Sequence, residues 1–130
     1  MWYFDEVKLL LVHHRLIKNF GGSHGLRDIE RIKFVVNAPK LVVFEQEQYP
    51  TLFVKAAVYI HNIIADHPFT DGNKRTGISA GLIFLQKNGA SLIMQTGELE
   101  DFAVRVATEH LDIQSIASWL EQHCQKKLTR

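Results

Sequence analysis

The chain has 130 residues, is 46% hydrophobic and 22% charged, and sets fifteen Lys and Arg against fourteen Asp and Glu for a formal charge of +1. That balance describes one folded domain spanning 1–130 with a core of its own, and it excludes disorder and the basic excess of a protein that coats nucleic acid or anionic membrane. The one cysteine, Cys124, excludes an internal disulfide framework, and no CxxC or Cys/His zinc spacing occurs.

The longest apolar run near the start, residues 9–12, is far short of the about 20 residues a spanning helix needs. The opening MWYFDEVK lacks the charged-then-apolar pattern of a secretory signal. The expectation is a cytoplasmic domain with no membrane or nucleic-acid partner.

In chain order, Val7, Leu10, Leu11, Leu16, Ile17 and Phe20 recur at helical spacing, and Gly21-Gly22 supplies a stop. A second helix is predicted from 28 to about 36, with Ile29, Ile32, Val35 and Val36 on one face and Pro39 ending it. The stretch Lys40, Leu41, Val42, Val43 and Phe44 is short, β-branched and bounded by Pro39 and EQEQ, so it is the strand or flap candidate. Pro50 suits the first turn of a long helix to about 65, apolar almost all round and therefore central. Residues 67–73 are turn-rich. The next helix, about 74–87, ends at Asn88-Gly89 and carries Gly77 and Gly81 four apart, which lets it approach a neighbour closely. Thr96-Gly97 precede an amphipathic helix of Leu99, Phe102, Ala103, Val106 and Ala107. Asp112 can cap a last helix carrying Ile113, Ile116, Ala117, Trp119 and Leu120. The fold class is all-α with one short hairpin or flap.

The chemistry concentrates in His67-Pro68-Phe69-Thr70-Asp71-Gly72-Asn73-Lys74-Arg75-Thr76, between two apolar helices. Gly72 permits a positive φ, so successive N–H groups can converge on one concavity. The helix that follows has unpaired first-turn N–H groups and a dipole that favours negative charge. A loop-to-helix junction of this kind is an anion site. Lys74 and Arg75 stand at the end of the helix that disfavours cations, a cost of about 0.3–1 kcal/mol each that an anion would offset. Asp71 puts one carboxylate beside the anion, a typical way of holding Mg²⁺ together with phosphate oxygens. His67 is the group able to take a proton from a hydroxyl near neutral pH. Phe69 is expected to point into the core. Together these parts describe phosphate transfer from a nucleotide. Each alone has a plain structural explanation: a loop histidine, an Asp-Gly-Asn turn, a solvated basic corner.

HPFTDGNKRTG resembles the signature of the Fic/Doc family, HxFx[D/E]xN[G/K]R, and most closely its death-on-curing (Doc) branch, HxFxDxNKRT. Phe20-Gly21-Gly22 with Gly25-Leu26-Arg27-Asp28, and the helix SAGLIFLQKNG, are similar to the segments flanking the motif in Doc-like proteins. The resemblance implies a compact Fic/Doc-type helical bundle in which His67 is the general base and Asp71 holds Mg²⁺ against the phosphates of ATP. Gly72 and Asn73 would form the anion cradle, with the Asn73 side chain also bonding phosphate. Arg75 would clamp phosphate, and Lys74 fills the place where adenylyl-transferring members carry Gly. Those members also carry a second Arg three residues after the first; here that position is Ile78.

The resemblance therefore implies γ-phosphate transfer to a threonine or serine hydroxyl of translation elongation factor Tu, by the toxin of a bacterial toxin–antitoxin pair with a cognate antitoxin. AMP transfer to a protein hydroxyl is the alternative, and a catalytically degenerate binding module the second. Residues 40–44 lie where the family's target-docking flap lies; packing on the core is the other reading of that strand. The family's inhibitory pattern, [S/T]xxxE[G/N], is nearest at TGELED, 96–101, and fails at its last position. His13 and His14, adjacent and about 100° apart on a helix, build no second site. Asp66-His67 reverses the order of a His-Asp phosphohydrolase doublet, and no P-loop can be placed. Trp2 and Trp119 read as packing residues.

Overall fold

The computed structural model of the chain describes residues 1–124. Among them six helices follow one another as α1 (Glu6–Phe20), α2 (Ile29–Asn37), α3 (Leu52–Asp66), α4 (Asn73–Lys87), α5 (Glu98–Thr108) and α6 (Ile113–Gln122). A 3₁₀ turn at Ala38–Lys40 and the strands β1 (Val42–Val43) and β2 (Gln46–Glu47) separate α2 from α3. The all-α fold with a short hairpin is thus what the chain adopts. None of the described helices is long and apolar enough to cross a membrane.

Helix α3 is the hub, packed against α4 and α6 and touched by α2 and α5. Its apolar circumference dictates this place, because no face of Ala56, Ala57, Val58, Tyr59, Ile60, Ile63 or Ile64 is left to water. Burial also pushes the Tyr59 hydroxyl up to about 12, while that oxygen accepts the Phe4 N–H. Helix α4 reaches α3 through its two glycines. A Cβ on Gly77 would stand 2.9 Å from Ile64 Cγ1, and one on Gly81 2.5 Å from Ile60 Cδ1. The four-residue spacing is a close-approach seam, as the sequence suggests. Trp119 lies flat on Phe102 with ring centroids 3.9 Å apart, a packing role that locks α6 onto α5.

Four helices start on a side-chain cap. Asp5, Asp28, Thr51 and Asp112 accept the N–H groups of Lys8, Glu30, Val54 and Ser115. Pro50 therefore lies outside α3, since Thr51 is the residue whose oxygen can satisfy a first-turn donor. Helix α4 has no such cap: its N-terminus follows Gly72, left-handed at φ 79.

The strand expected over 40–44 is shorter than its composition suggests. Pro39 draws Lys40 into the 3₁₀ turn, so only Val42 and Val43 pair, antiparallel with Glu47 and Gln46. Phe44 and Glu45 form the tip with φ of 49° and 65°, the mirror-image turn that matches strand twist. The hairpin does not pack on the core: both strands are exposed and Phe44 is 95% exposed. Its anchor is Lys55 on α3, only 2% exposed, whose Nζ donates to the Pro39 carbonyl (3.1 Å) and to Glu47 Oε1 (2.9 Å).

Helix α1 presents a different face from the one its apolar residues suggest. Leu9, His13 and Ile17 are buried, while Val7, Leu11 and Phe20 are exposed and Leu10 and Leu16 are half-buried. Apolar residues run along more than one side of this helix, so periodicity cannot choose between them; its neighbours do. Ile29 of α2 is likewise at the surface, leaving Ile32, Val35 and Val36 as that helix's core face.

Candidate functional site

The loop between α3 and α4 is held from three sides. His67 ends α3 in the left-handed conformation (φ 49), its N–H bonded to the Ile63 carbonyl. The Pro68 carbonyl accepts from the N–H groups of Arg27 (2.9 Å) and Asp28 (3.3 Å), and the Thr70 N–H donates to the Gly25 carbonyl (3.0 Å). Leu26 and Phe69 form an isolated antiparallel bridge, so segment 25–28 runs alongside the loop as a brace. Two glycines make that approach possible. A Cβ on Gly25 would stand 2.6 Å from Thr70 Oγ1, and one on Gly22 2.7 Å from Asp71 Oδ2.

The second support is Asn73. Its Oδ1 accepts the Phe69 N–H (3.1 Å) and its Nδ2 donates to the Phe69 carbonyl (2.9 Å), with the side chain buried. The Asn73 side chain, expected to bond phosphate, is here engaged in clamping the loop, with one Nδ2 hydrogen and one Oδ1 lone pair left over. Asn73 also offers an anion its backbone N–H at the uncapped start of α4. Phe69 points into the core, as expected.

The third support is His13 of α1, which sequence reasoning passed over. Its ring stacks on Phe69, centroids 3.8 Å apart and planes 6° apart, and its Nε2 lies 2.8 Å from the Asp71 carbonyl oxygen. Burial pushes its pKa below the ordinary histidine value, against the opposing effect of that hydrogen bond. A hydrophobicity pattern carries no sign of such a residue; His13 sitting four residues from both Leu9 and Ile17 on one helix face is the signal that would have found it.

Asp71 and the first turn of α4 face a cleft of about 500 Å³ between α1, α4 and α5. Leu16, Phe20, Ile78, Leu99, Ala103 and Val104 give it an apolar wall, and Asp71, Lys74, Arg75 and Glu100 line it with charge. The Arg75 guanidinium lies 4.4 Å from the centre of the Phe20 ring, which holds the cation over the cleft. The Thr96-to-Asp101 stretch thus contributes Leu99 and Glu100 to the wall. Glu98 turns elsewhere, accepting the Gln95 N–H and meeting His123 Nε2 at 2.8 Å.

The Asp71 carboxylate is exposed. Oδ1 accepts the Gly72 N–H (2.8 Å) and Oδ2 the Ser23 N–H (3.1 Å), which fixes its direction and leaves each oxygen a second lone pair. Among the described residues no group of three or more His, Cys, Asp or Glu is placed to hold a metal ion. One oriented carboxylate beside an anion cradle therefore fits Mg²⁺ shared with phosphate oxygens, and not a protein-only cage.

His67 is exposed and lines a second, smaller cleft of about 180 Å³ with His61, Ile64, Ala65, Val106, Ala107, His110 and Leu111. The motif thus opens two ways: its histidine into one cleft, its Asp71-to-Arg75 end into the other. The hairpin residues Leu41, Val42, Val43 and Phe44 line neither.

The sequence model of the Fic/DOC family matches residues 3–85. The protein is 30% identical over 122 residues to the "Protein kinase doc" of Escherichia phage P1, covering 94% of this chain and 95% of that protein. It is 36% identical over 103 residues to the "Toxin Doc" of Mycolicibacterium smegmatis, covering 78% of this chain and 79% of that one. With the motif intact on a braced loop, and the match running through all three of its supports, the chain belongs to the Fic/DOC family, on its Doc branch.

Proposed function

We propose that this protein is a Doc-like toxin that transfers the γ-phosphoryl group of ATP, with Mg²⁺, to a threonine or serine hydroxyl of a target protein. Elongation factor Tu is the leading target, inhibition of translation the consequence, and a cognate antitoxin the controlling partner, all in the bacterial cytoplasm. The names of the two relatives, one a kinase and one a toxin, support the class of activity.

In this reading the N–H groups of the uncapped first turn of α4, from Asn73 on, bind the phosphates with Lys74 and Arg75, while the Gly72 N–H, expected in the cradle, instead holds Asp71 Oδ1. Asp71 would hold Mg²⁺ beside the phosphates, where the ion would supply charge neutralisation of the phosphate oxygens. His67 takes the proton of the target hydroxyl as its oxygen bonds to the γ-phosphorus. The bond from that phosphorus to the bridging oxygen breaks, and ADP leaves. Positioned proton transfer of this kind contributes typically about 10²–10⁴-fold. The exposed hairpin, with a strand edge and Phe44 at its tip, suits docking of an extended target segment by strand addition.

The observation that carries phosphate over AMP transfer is Ile78. At the position of the second arginine of adenylyl-transferring members, the cleft wall carries an almost wholly buried isoleucine, so nothing there can pair with a γ-phosphate held as part of the leaving group. ATP labelled at the γ or the α position, incubated with purified elongation factor Tu, tests this directly. Label arriving on the target only from the γ position is expected; label only from the α position makes the protein an adenylyltransferase. Co-expression of the neighbouring open reading frame is expected to relieve toxicity, and absence of rescue and of co-purification would remove the antitoxin from the account.

A further inference from the structure

The carboxylate that would orient the cation is not aimed by its own loop alone. Asp71 is followed by Gly72 at φ 79, a conformation the loop must be held in. The wall behind that turn is α1: a Cβ on Gly72 would stand 3.0 Å from Ile17 Cδ1 and 3.8 Å from His13 Nε2. His13 does more than fill this space. A carbonyl oxygen only accepts, so the 2.8 Å contact means that Nε2 carries the hydrogen and donates it to the Asp71 carbonyl. The same ring covers Phe69, the residue that Asn73 clamps from the other side. One side chain from a remote helix thus fixes the peptide next to the carboxylate and the aromatic anchor two residues before it.

We propose that His13 is a positioning residue: its Nε2–H holds the Asp71 carbonyl so that the Asp71 carboxylate points at the place of the divalent cation. The proposal rests on the cation role given to Asp71 above. It places a member of the phosphate site on α1, outside the signature, and makes the hydrogen bond, not the ring's bulk, the functional contact. Outer contacts of this sort commonly change cation affinity by about 10–100-fold when removed.

Two substitutions separate donor from bulk. His13→Gln keeps an amide donor at similar reach and loses the flat ring; His13→Phe keeps a flat ring over Phe69 and loses the donor. Cation affinity is read as the water-proton relaxation enhancement of Mn²⁺ titrated into protein carrying a non-hydrolysable ATP analogue. The amide shifts of Gly72 and Asn73 are read without metal. H13F is expected to bind Mn²⁺ about tenfold or more weakly and to move both amides, while H13Q stays within about threefold of the parent. His13→Leu is the second donor-free variant and carries the same expectation if H13F does not fold. Parental Mn²⁺ affinity in the donor-free variants would overturn the proposal. So would H13Q weakened as much as H13F, which would assign the effect to ring packing. Asp71→Asn is the control: its loss of enhancement is expected, and parental enhancement there would overturn the cation role of Asp71 instead.

Discussion

The two clefts on either side of the 67–73 loop are built on opposite principles. The larger, against α1, α4 and α5, has two of its four charged groups fixed: Asp71 by two N–H donors, Arg75 over Phe20. The smaller is lined by the exposed His67 together with His61, His110 and apolar Ile64, Val106 and Leu111. Binding a polyanion needs donors oriented beforehand, since each disordered contact would cost ordering on binding. Taking a proton from an incoming hydroxyl needs access. On the proposed reading, the difference teaches that one ten-residue motif divides the labour, with Phe69 and Asn73 bracing the loop between its two ends.

The deepest cut at one cleft alone is His67. His67→Asn removes the base while keeping a residue that tolerates the left-handed backbone. Transfer is expected to fall about 10²–10⁴-fold with the melting temperature unchanged, read by initial rates and thermal unfolding. The loop itself loosens with Asn73→Ala. That change leaves the buried Phe69 N–H and carbonyl without partners, so stability should drop by about 1–3 kcal/mol in urea unfolding, with both functions lost. The anion cleft alone is weakened by Arg75→Gln, for which a loss of about tenfold in ATP affinity by calorimetry is expected, with no change in stability.

A smaller effect lies away from both clefts, at the α5–α6 contact. His123 donates from Nδ1 to the Trp119 carbonyl and meets Glu98, which together raise its pKa against a smaller opposing effect of burial. A raised folded-state pKa contributes stability that is present below the ordinary value of 6.5 and lost as pH rises through the folded value. The parent should therefore lose this increment on going from acid to alkaline sides of that range, and His123→Gln should flatten the loss. An unchanged slope would show that the pair contributes nothing.

Most elements, the Asp112 cap and the close seam at Gly77 and Gly81 were legible in the sequence, because capping and spacing are local, whereas the Asp5 and Asp28 caps were not singled out. Thr51 was obscured by the adjacent Pro50, itself a common first-turn residue. The motif was legible too, but its supports were not. His13 meets Asp71 across 58 positions, and Lys55 is buried by Glu47 and the Pro39 carbonyl. Both are polar residues that hydropathy assigns to the surface, buried by partners that periodicity cannot name. The clamp that Asn73 puts on Phe69 was hidden for the same reason, since only the folded position of Phe69 shows that its amide meets the backbone.

The central claim is that the Asp71-to-Arg75 end of the loop holds the nucleotide, while His67 acts only on the incoming hydroxyl where it meets the γ-phosphate. The most direct test compares Mg–ATP affinity and single-turnover transfer in His67→Asn. The account predicts parental affinity with transfer lost. A loss of affinity in step with the loss of transfer would contradict it, placing His67 in the nucleotide site.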